Sequence, residues 1–263
     1  MTPLIIGHRG ASAVAPENTL AAFELAMRQG ADGIEFDVRL SADGVPVVIH
    51  DAALSRTGSI KGLVAKLPAA ELQRIDVGSW FDRRRGGQIE AEFSNEKLPS
   101  LQQVIDLFSD RHGLLYLEMK SNEDRLAAQV ALAIQQCSIS ERIIVSSFNI
   151  PSIKQVKRIN PGIRTAALFE PRVSRPLNLV NRMKLVNIAR TSGADEIALH
   201  HSLAGNRVVE KARRSQLDVV IWTVDHPQWI NRARALGIKA LITNDPAAMI
   251  RYRNRANKHP ATV

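Results

Sequence analysis

The sequence predicts an α/β protein, a (β/α)8 TIM barrel with a small inserted cap segment after a hairpin at its second strand. Three observations predict this fold. Short apolar runs alternate with longer amphipathic runs, which is typical of parallel strands joined by crossover helices. The chain has 263 residues, and a barrel of this kind takes roughly 250. Polar and charged residues also follow several of the apolar runs, at the strand ends where such barrels carry their functional sites.

Predicted strands occupy nine short apolar runs, at residues 4–7, 33–37, 45–50, 114–120, 143–147, 164–169, 196–199, 219–223 and 240–243. Only residues 38–44 separate the second run from the third, whereas a parallel crossover needs about a dozen residues or more. The turn pair Asp43-Gly44 favours a hairpin, so the third run is an antiparallel return arm and eight parallel strands remain. A turn over 41–44 would place His50 opposite Glu35, and a turn at 43–44 would place it opposite Asp37. Both registers stay open.

Predicted helices occupy the longer amphipathic runs, at residues 18–29, 101–108, 125–137, 153–159, 207–215 and 227–236. Ser100 with Gln103 is the pattern of a capping box at the start of the second of these helices. Residues 52–97 do not follow the alternation of strand and helix. We interpret them as an insertion that caps the mouth of the barrel, within a single domain spanning residues 1–263.

The chain is basic, with a formal net charge of +9 and a sequence pI of about 10.1. Such a balance suits nucleic acid, a membrane surface or an anionic small substrate. The basic residues are spread over the predicted helices and only 5% of residues are aromatic, so the aromatic interleaving expected for base stacking is scarce. We therefore expect solvated helix faces and no nucleic-acid partner.

Cysteine usage and hydropathy limit the class of protein further. Cys137 is the only cysteine, which excludes an intrachain disulfide and a cysteine-rich zinc site. The sequence shows neither a signal-peptide pattern nor an apolar run of the ~18 residues that a membrane span needs. We expect a cytoplasmic protein without a stable membrane anchor. Its oligomeric state is left open.

Acidic residues lie at the predicted ends of two strands. Glu35 and Asp37 are two apart on one strand and so face the same way, and Glu118 ends the strand after the hairpin. Carboxylates converging on a barrel mouth repel one another unless a cation lies between them. The alternative is simple pairing with Arg9, Arg39 and Lys120. Oxygen ligands favour a hard divalent cation, and we predict Mg²⁺ or Ca²⁺, with Mn²⁺ as a third candidate.

Two histidines lie at strand ends close to these acids. His8 and His50 titrate near neutral pH and suit general acid–base catalysis. A lone histidine at a strand end is more often structural, but two beside a metal site favour a catalytic function. Arg9 and Lys120 suit the binding of phosphate oxygens. Because neighbouring strand residues face opposite ways, Arg9 reaches the site only if Gly10 bends the chain.

These residues stand in motifs that resemble those of the glycerophosphodiester phosphodiesterase family, of the bacterial cytoplasmic type. The motifs are Gly7-His8-Arg9-Gly10, Pro16-Glu17-Asn18-Thr19, Glu35-Phe36-Asp37-Val38, His50-Asp51, Leu54, Arg56-Thr57, Gly78-Ser79-Trp80, Leu98-Pro99-Ser100-Leu101, Glu118-Met119-Lys120, Ser147-Phe148, Trp222-Thr223 and Thr243-Asn244-Asp245. They cover nearly the whole chain. The first block is highly specific.

The resemblance implies a function for each candidate site residue. It places a divalent metal on Glu35, Asp37 and Glu118, the two catalytic histidines on His8 and His50, and the phosphate-binding basic residues on Arg9 and Lys120. Glu17 matches a position near the catalytic centre, with an orienting function, and Trp222 is placed with the substrate-binding residues.

The activity implied is metal-dependent hydrolysis of glycerophosphodiesters, the deacylated phospholipids, to glycerol 3-phosphate and an alcohol. A first alternative is a lysophospholipase D acting on lysophospholipids, with Trp80 and Phe81 covering an acyl chain. A second, of another class, is a non-catalytic barrel that binds phosphodiesters or polyanions. The preferred alcohol, the metal used in the cell and the assignment of acid and base stay open.

Overall fold

The computed structural model describes residues 2–84, 93–121, 124–171 and 179–258. Nine strands lie in these ranges: β1 Leu4–His8, β2 Gly33–Leu40, β3 Pro46–Val48, β4 Leu114–Met119, β5 Ile143–Ser147, β6 Arg164–Phe169, β7 Glu196–His200, β8 Asp218–Trp222 and β9 Ala240–Thr243. They match the nine predicted runs in order, with small differences at their ends.

The described α-helices are α1 Leu20–Arg28, α2 Ala69–Leu72, α3 Ser79–Arg84, α4 Leu101–Ser109, α5 Asp124–Gln136, α6 Ile150–Ile159, α7 Leu179–Thr191, α8 Asn206–Arg214, α9 Trp229–Leu236 and α10 Pro246–Lys258. Short 3₁₀ helices lie at Val64–Lys66, Ser140–Arg142 and His201–Leu203. The predicted capping box is present, because the Ser100 hydroxyl accepts from the Gln103 amide and the Gln103 side chain accepts from the Ser100 amide. In the described part of the chain, no helix combines the length and the apolar character needed to cross a membrane.

Eight parallel strands form a closed barrel. Their order is β1-β2-β4-β5-β6-β7-β8-β9, and the pairing of β9 with β1 closes the ring. The third strand lies outside this ring, antiparallel to the second. The predicted (β/α)8 barrel and the predicted return arm are therefore both confirmed.

The register of the hairpin differs from both predicted alternatives. Val38 pairs with Val48 and Leu40 pairs with Pro46, so the ladder extended to His50 would place it opposite Phe36. The reason is a five-residue turn built on Ser41, whose hydroxyl accepts from the Val45 amide at 2.9 Å, while its own amide donates to the Val45 carbonyl at 3.0 Å. Both predicted registers are wrong by one residue.

Side chains alternate between two cores along each barrel strand, as the strand period of two requires. Ile6, Ala166, Val220 and Ile242 belong to a cluster that fills the barrel. A larger cluster, which includes Phe36, packs between the outer face of the sheet and the helices. Side chains two residues further along each strand therefore face the upper end of the barrel, the end at which the strands finish. The candidate site lies there.

The lower end of the barrel interior, where the strands begin, holds a buried charged group. Glu196 is fully buried and accepts from Tyr116 Oη at 2.9 Å, from Arg164 Nη2 at 2.7 Å and from Lys239 Nζ at 2.7 Å. A carboxylate taken out of water requires such partners, because its lost hydration has to be replaced. This cluster stabilises the closed end of the barrel.

We predict that Glu196→Ala lowers the free energy of unfolding by about 3 kcal/mol, because it leaves Arg164 without its carboxylate and the buried Tyr116 hydroxyl without its acceptor, although Lys239 keeps Asp218. Urea denaturation measures this loss. As a control, Glu210→Ala removes an exposed pair with Arg214 and should change stability by no more than about 0.5 kcal/mol. Equal effects of the two substitutions would contradict the structural importance of the buried cluster.

The segment predicted as a cap has its own small core. Leu54, Val64 and Leu72 pack with Leu98, which directly follows the segment, and with residues of the return arm of the hairpin, including Val47. Isolated bridges join Ala53 to Leu63 and Asp76 to Lys97. Residues 85–92 of this segment lie outside the described residues. The segment contains short helices and no barrel strand among its described residues, in keeping with the interruption read from the sequence.

Candidate active site

Three acidic side chains converge inside the barrel at its upper end. In the strand register, His8 lies beside Glu35, and Asp37 lies beside Glu118. All three carboxylates are buried, with 5%, 1% and 9% of their residue surfaces exposed for Glu35, Asp37 and Glu118. One oxygen from each lies within 4.8 Å of the others. The spacing of two along the strand thus brings the predicted acids together.

The burial of this group strongly affects its protonation. Burial raises the pKa of Glu35 well above its usual value, and the charges of Asp37 and Glu118 raise it further. Burial, followed by the charge of Asp37, raises the pKa of Glu118 to about 7. Burial also opposes ionisation of Asp37, but Arg9 and Lys120 outweigh it, so the pKa of this carboxyl is lowered. Without a cation the three groups resist full ionisation together.

The geometry fits a divalent cation. Asp37 Oδ1 is buried and accepts no hydrogen bond from any described residue, although Lys120 Nζ lies 3.6 Å away. The same ammonium lies 2.8 Å from Glu118 Oε1. Three carboxylates with an oxygen left free for a ligand match the preference of hard cations for oxygen donors. Glu35, Asp37 and Glu118 could therefore hold such an ion.

We predict that Mg²⁺ binds more tightly as the pH rises through 7, and that binding releases protons. The reason is that the raised pKa values of Glu35 and Glu118 leave protons on this group near neutral pH, and a cation must displace them. The same raised values should make the metal-free protein lose stability as the pH rises from 4.5 to 7, since the folded chain holds these protons more tightly than the unfolded chain.

Isothermal titration calorimetry in two buffers of different ionisation enthalpy measures the released protons, and thermal denaturation of the metal-free protein measures its stability. Equal Mg²⁺ affinity at pH 6 and pH 8, with no proton release, would show that the three carboxylates do not form the cation site.

Each histidine has its Nδ1 atom held by an oxygen. His8 Nδ1 lies 2.7 Å from Asn244 Oδ1, and His50 Nδ1 lies 2.6 Å from Asp51 Oδ1. A neutral ring in such a contact carries its proton on Nδ1 and leaves Nε2 as an acceptor. His8 Nε2 lies 3.9 Å from Glu35 Oε2. Burial, followed by the charge of Arg9, lowers the pKa of His8, and burial is also the largest cause of the lowered pKa of His50.

Arg9 reaches the site because the chain bends at this residue. The φ angle is 54° at Arg9 and 83° at Gly10, and a Cβ atom at Gly10 would lie only 2.6 Å from the Ala22 carbonyl carbon. The turn that the sequence required is thus present, starting one residue earlier than expected. Arg9 Nη1 donates to Glu17 at 2.8 Å, and its Nε lies 3.1 Å from Asp37 Oδ2.

A network of ion pairs joins the two sides of the site. Arg56 donates through both Nη atoms to the Glu17 carboxylate, at 2.8 and 2.7 Å, and through Nε to Asp51 at 2.5 Å. Glu17 also accepts from Arg9, while Asp51 contacts His50. Glu17 is therefore close to the centre, as the resemblance implied. Asp51, Arg56 and Asn244 were not among the predicted site residues. Their presence in the motifs was the only sequence signal for them.

Seven of the nine predicted site residues, all except Glu17 and Asp37, line one cavity of about 270 Å³. Its wall includes the two histidines, Arg9, Glu35, Glu118, Lys120, Phe148 and Trp222, and Tyr116 lies at its floor. Trp222 Nε1 is buried and has no acceptor among the described residues. A second, more open cavity of about 530 Å³ shares His8 and Arg9 with the first and is lined by Trp80 and Phe81 of the predicted cap.

The chain matches the model of the glycerophosphoryl diester phosphodiesterase family over residues 8–248. It is 32% identical over 256 residues to a glycerophosphodiester phosphodiesterase of Caldanaerobacter subterraneus subsp. tengcongensis, covering 95% of this chain and 97% of that relative.

Solved structures show the same likeness. A phosphodiesterase of Oleispira antarctica, in complex with the product sn-glycerol-3-phosphate, has a TM-score of 0.82 and 28% identity, covering 96% of this chain and 97% of that one. A glycerophosphodiester phosphodiesterase of Agrobacterium tumefaciens has a TM-score of 0.77 and 28% identity, covering 95% and 99%. The barrel, its convergent acids and these relatives confirm the predicted family: the chain belongs to the glycerophosphoryl diester phosphodiesterase family.

Proposed function

We propose that this chain hydrolyses glycerophosphodiesters to glycerol 3-phosphate and an alcohol. Family membership and the relatives named for this activity support the enzyme class. The observation that carries the proposal is a single cavity that gathers acidic, imidazole and cationic side chains around a space fit for one phosphodiester. The product complex of the Oleispira antarctica relative supports a small-molecule substrate.

The acidic group and the two basic side chains form the phosphate site in this proposal. Glu35, Asp37 and Glu118 hold one divalent cation, Mg²⁺ or Ca²⁺ with Mn²⁺ as a third candidate, as their buried oxygens allow. When bound, the cation supplies positive charge that polarises a phosphoryl oxygen. Arg9 and Lys120 bind the phosphate oxygens and offset the charge that develops on them.

The two histidines move the protons. We assign His8 as the base, which takes a proton from the neighbouring glycerol hydroxyl so that its oxygen attacks phosphorus, and His50 as the acid, which protonates the departing alcohol. Water then opens the cyclic phosphate with these functions exchanged. The contacts support this order: the Asp51 carboxylate on His50 opposes the lowering of its pKa by burial, whereas Asn244 places a neutral amide on His8.

The substrate's own hydroxyl is the attacking group in this proposal, and two hydroxyls of the cavity wall already donate to protein acceptors. Ser146 Oγ donates to the Leu117 carbonyl at 3.3 Å, and Tyr116 Oη donates to Glu196. Trp222, whose indole N–H lacks an acceptor among the described residues, donates to a substrate oxygen. Glu17 orients Arg9 through their 2.8 Å contact.

We further propose that residues 1–263 form one domain, and that residues 52–97 are a cap inserted in it that covers the site. The second cavity, between the cap residues Trp80 and Phe81 and the mouth of the barrel, supports this function. The cytoplasmic location stays a prediction, which cell fractionation tests.

Release of glycerol 3-phosphate tests the proposed function. Glycerophosphocholine and glycerophosphoethanolamine are incubated with the protein, with a chelator and with added Mg²⁺, Ca²⁺ or Mn²⁺. We expect hydrolysis that the chelator abolishes and one of the cations restores. Faster turnover of lysophosphatidylcholine would favour the lysophospholipase D alternative. Salt-sensitive binding of nucleic acid, with no hydrolysis under any cation, would favour the non-catalytic barrel.

A further inference from the structure

The side chain of Asn244 connects His8 to a carboxylate outside the predicted site. Asn244 follows β9 directly, and its Oδ1 lies 2.7 Å from His8 Nδ1 and 3.0 Å from Ser12 Oγ. Its Nδ2 donates to Asp225 Oδ2 at 2.7 Å. One amide thus contacts an imidazole, a hydroxyl and a carboxylate at the same time.

The carboxylate fixes which way the amide faces. Asp225 is itself held by two donors through Oδ1, the Thr243 hydroxyl at 2.9 Å and the Asn244 backbone amide at 2.8 Å. A carboxylate accepts hydrogen bonds and an amide NH₂ donates them. If the Asn244 amide were flipped, its oxygen would meet the Asp225 oxygen with no hydrogen between them. Nδ2 therefore faces Asp225, and Oδ1 faces His8.

An oxygen at this place determines the form of the imidazole. Asn244 Oδ1 can only accept, so the neutral His8 ring carries its hydrogen on Nδ1 and presents the lone pair of Nε2 on the side of Glu35. We propose that Asp225 and Asn244 are positioning residues that fix the tautomer and the ring orientation of His8. This inference rests on the proposed catalytic function of His8.

The other histidine is held differently, which makes the arrangement specific to one side of the site. His50 contacts the Asp51 carboxylate directly, with no amide between them. At His8 Nδ1 the Asp225 carboxylate acts only through the amide, so the ring gains a fixed direction without a full charge in contact with Nδ1. A base that must begin its cycle neutral is suited by such a contact.

The primary test is Asn244→Leu, which keeps a side chain of similar size and removes the acceptor. We expect kcat to fall by about 10–100-fold, as is typical when a partner that orients an active-site histidine is lost, while KM changes by less than about twofold because the phosphate site is untouched. Asn160→Leu is the matched control. Asn160 Oδ1 accepts only the Gly162 amide among the described residues, and this variant should keep the wild-type kcat.

A double-mutant cycle separates positioning from a general loss of structure. If Asn244 acts through His8, adding Asn244→Leu to His8→Ala should lower kcat by less than about twofold further. A full additional loss in the His8→Ala background would overturn the inference. An inactive wild-type protein, or an undiminished His8→Ala variant, would instead overturn the proposed function.

Two further measurements keep the inference falsifiable if Asn244→Leu folds poorly. The exchange Asp225→Asn with Asn244→Asp preserves a donor–acceptor pair between the two positions and an oxygen at His8, and should give a higher kcat than Asp225→Asn alone. Because a carboxylate then lies on His8 Nδ1, kcat should stay below that of the wild type. Ring ¹⁵N shifts of His8 should report hydrogen on Nδ1 in the wild type and a mixture of tautomers in Asp225→Asn. No recovery, together with an unchanged tautomer in that variant, would refute the positioning function.

Discussion

Replacing His8 or His50 by alanine lowers kcat by about 10²–10⁴, the range expected when a general acid or base is removed. Both rings line the cavity that also holds the acidic group, and each has its Nδ1 fixed by an oxygen so that Nε2 is left to exchange protons. Neither substitution removes a carboxylate or a phosphate-binding cation. Steady-state release of glycerol 3-phosphate measures the loss, and calorimetry with Mg²⁺ should show that the cation still binds.

The matched control is His112→Ala, since His112 is exposed on the loop before β4 and should leave kcat unchanged. A His8→Ala or His50→Ala protein that retains near-full activity, with normal folding, would defeat the assignment of that histidine. A loss of Mg²⁺ binding in either variant would mean that the imidazole contributes to the cation site instead.

Substitution Glu35→Gln should lower activity by roughly 10³ and at the same time stabilise the metal-free protein. The loss of a ligand removes charge stabilisation that contributes several kcal/mol to a reacting phosphoryl group. The gain in stability has the opposite origin. Burial and the charges of Asp37 and Glu118 disfavour the ionised form of this side chain, and a neutral amide of equal size carries no such penalty.

Parallel measurements of kcat and of thermal denaturation at pH 8, with and without Mg²⁺, check this pair of effects. At this pH the wild-type group is more fully ionised, so the gain should be largest. Glu141→Gln serves as control because its side chain is 71% exposed, and neither quantity should change. A Glu35→Gln protein that loses stability without metal would show that the carboxylate is needed for folding rather than for the cation.

Much of the fold could be predicted because strand and helix periods are local. The eight parallel strands and the return arm follow from short apolar runs and from one linker too short for a crossover. Helices α7 and α10 were not among the predicted helices, nor were the short helices α2 and α3 of the cap segment. In α10, the buried residues among those whose burial is described are Pro246, Met249 and Ile250, so its apolar stripe covers about one turn and Arg-rich sequence follows. A helix with so little buried surface gives a weak periodic signal.

The candidate site could likewise be predicted only in part. Glu35, Asp37 and Glu118 could be placed together because strand alternation and the shared end of a parallel barrel dictate it. The contact that holds His8 and the link from Arg56 to Glu17 could not, since they join residues far apart in the chain. His8 and Asn244 are 236 residues apart, and Arg56 and Glu17 are 39 apart. No periodic pattern in the sequence predicts contacts between residues so far apart. The predicted hairpin register was wrong for a similar reason, because it depends on hydrogen bonds of the Ser41 side chain within the turn.

Tyr116 has two neighbours of opposite kinds, the substrate cavity above its ring and the Glu196 carboxylate at its hydroxyl. The ring of Tyr116 thus separates the substrate cavity from the buried Glu196 carboxylate. A smaller side chain at this position would deepen the cavity and admit solvent to the ion pairs of Glu196. The depth of the cavity is therefore constrained by the stability of the barrel. Adaptation to bulkier alcohols is therefore expected at the rim of the site, where Phe148 and Trp80 can be replaced without exposing the Glu196 ion pairs to solvent.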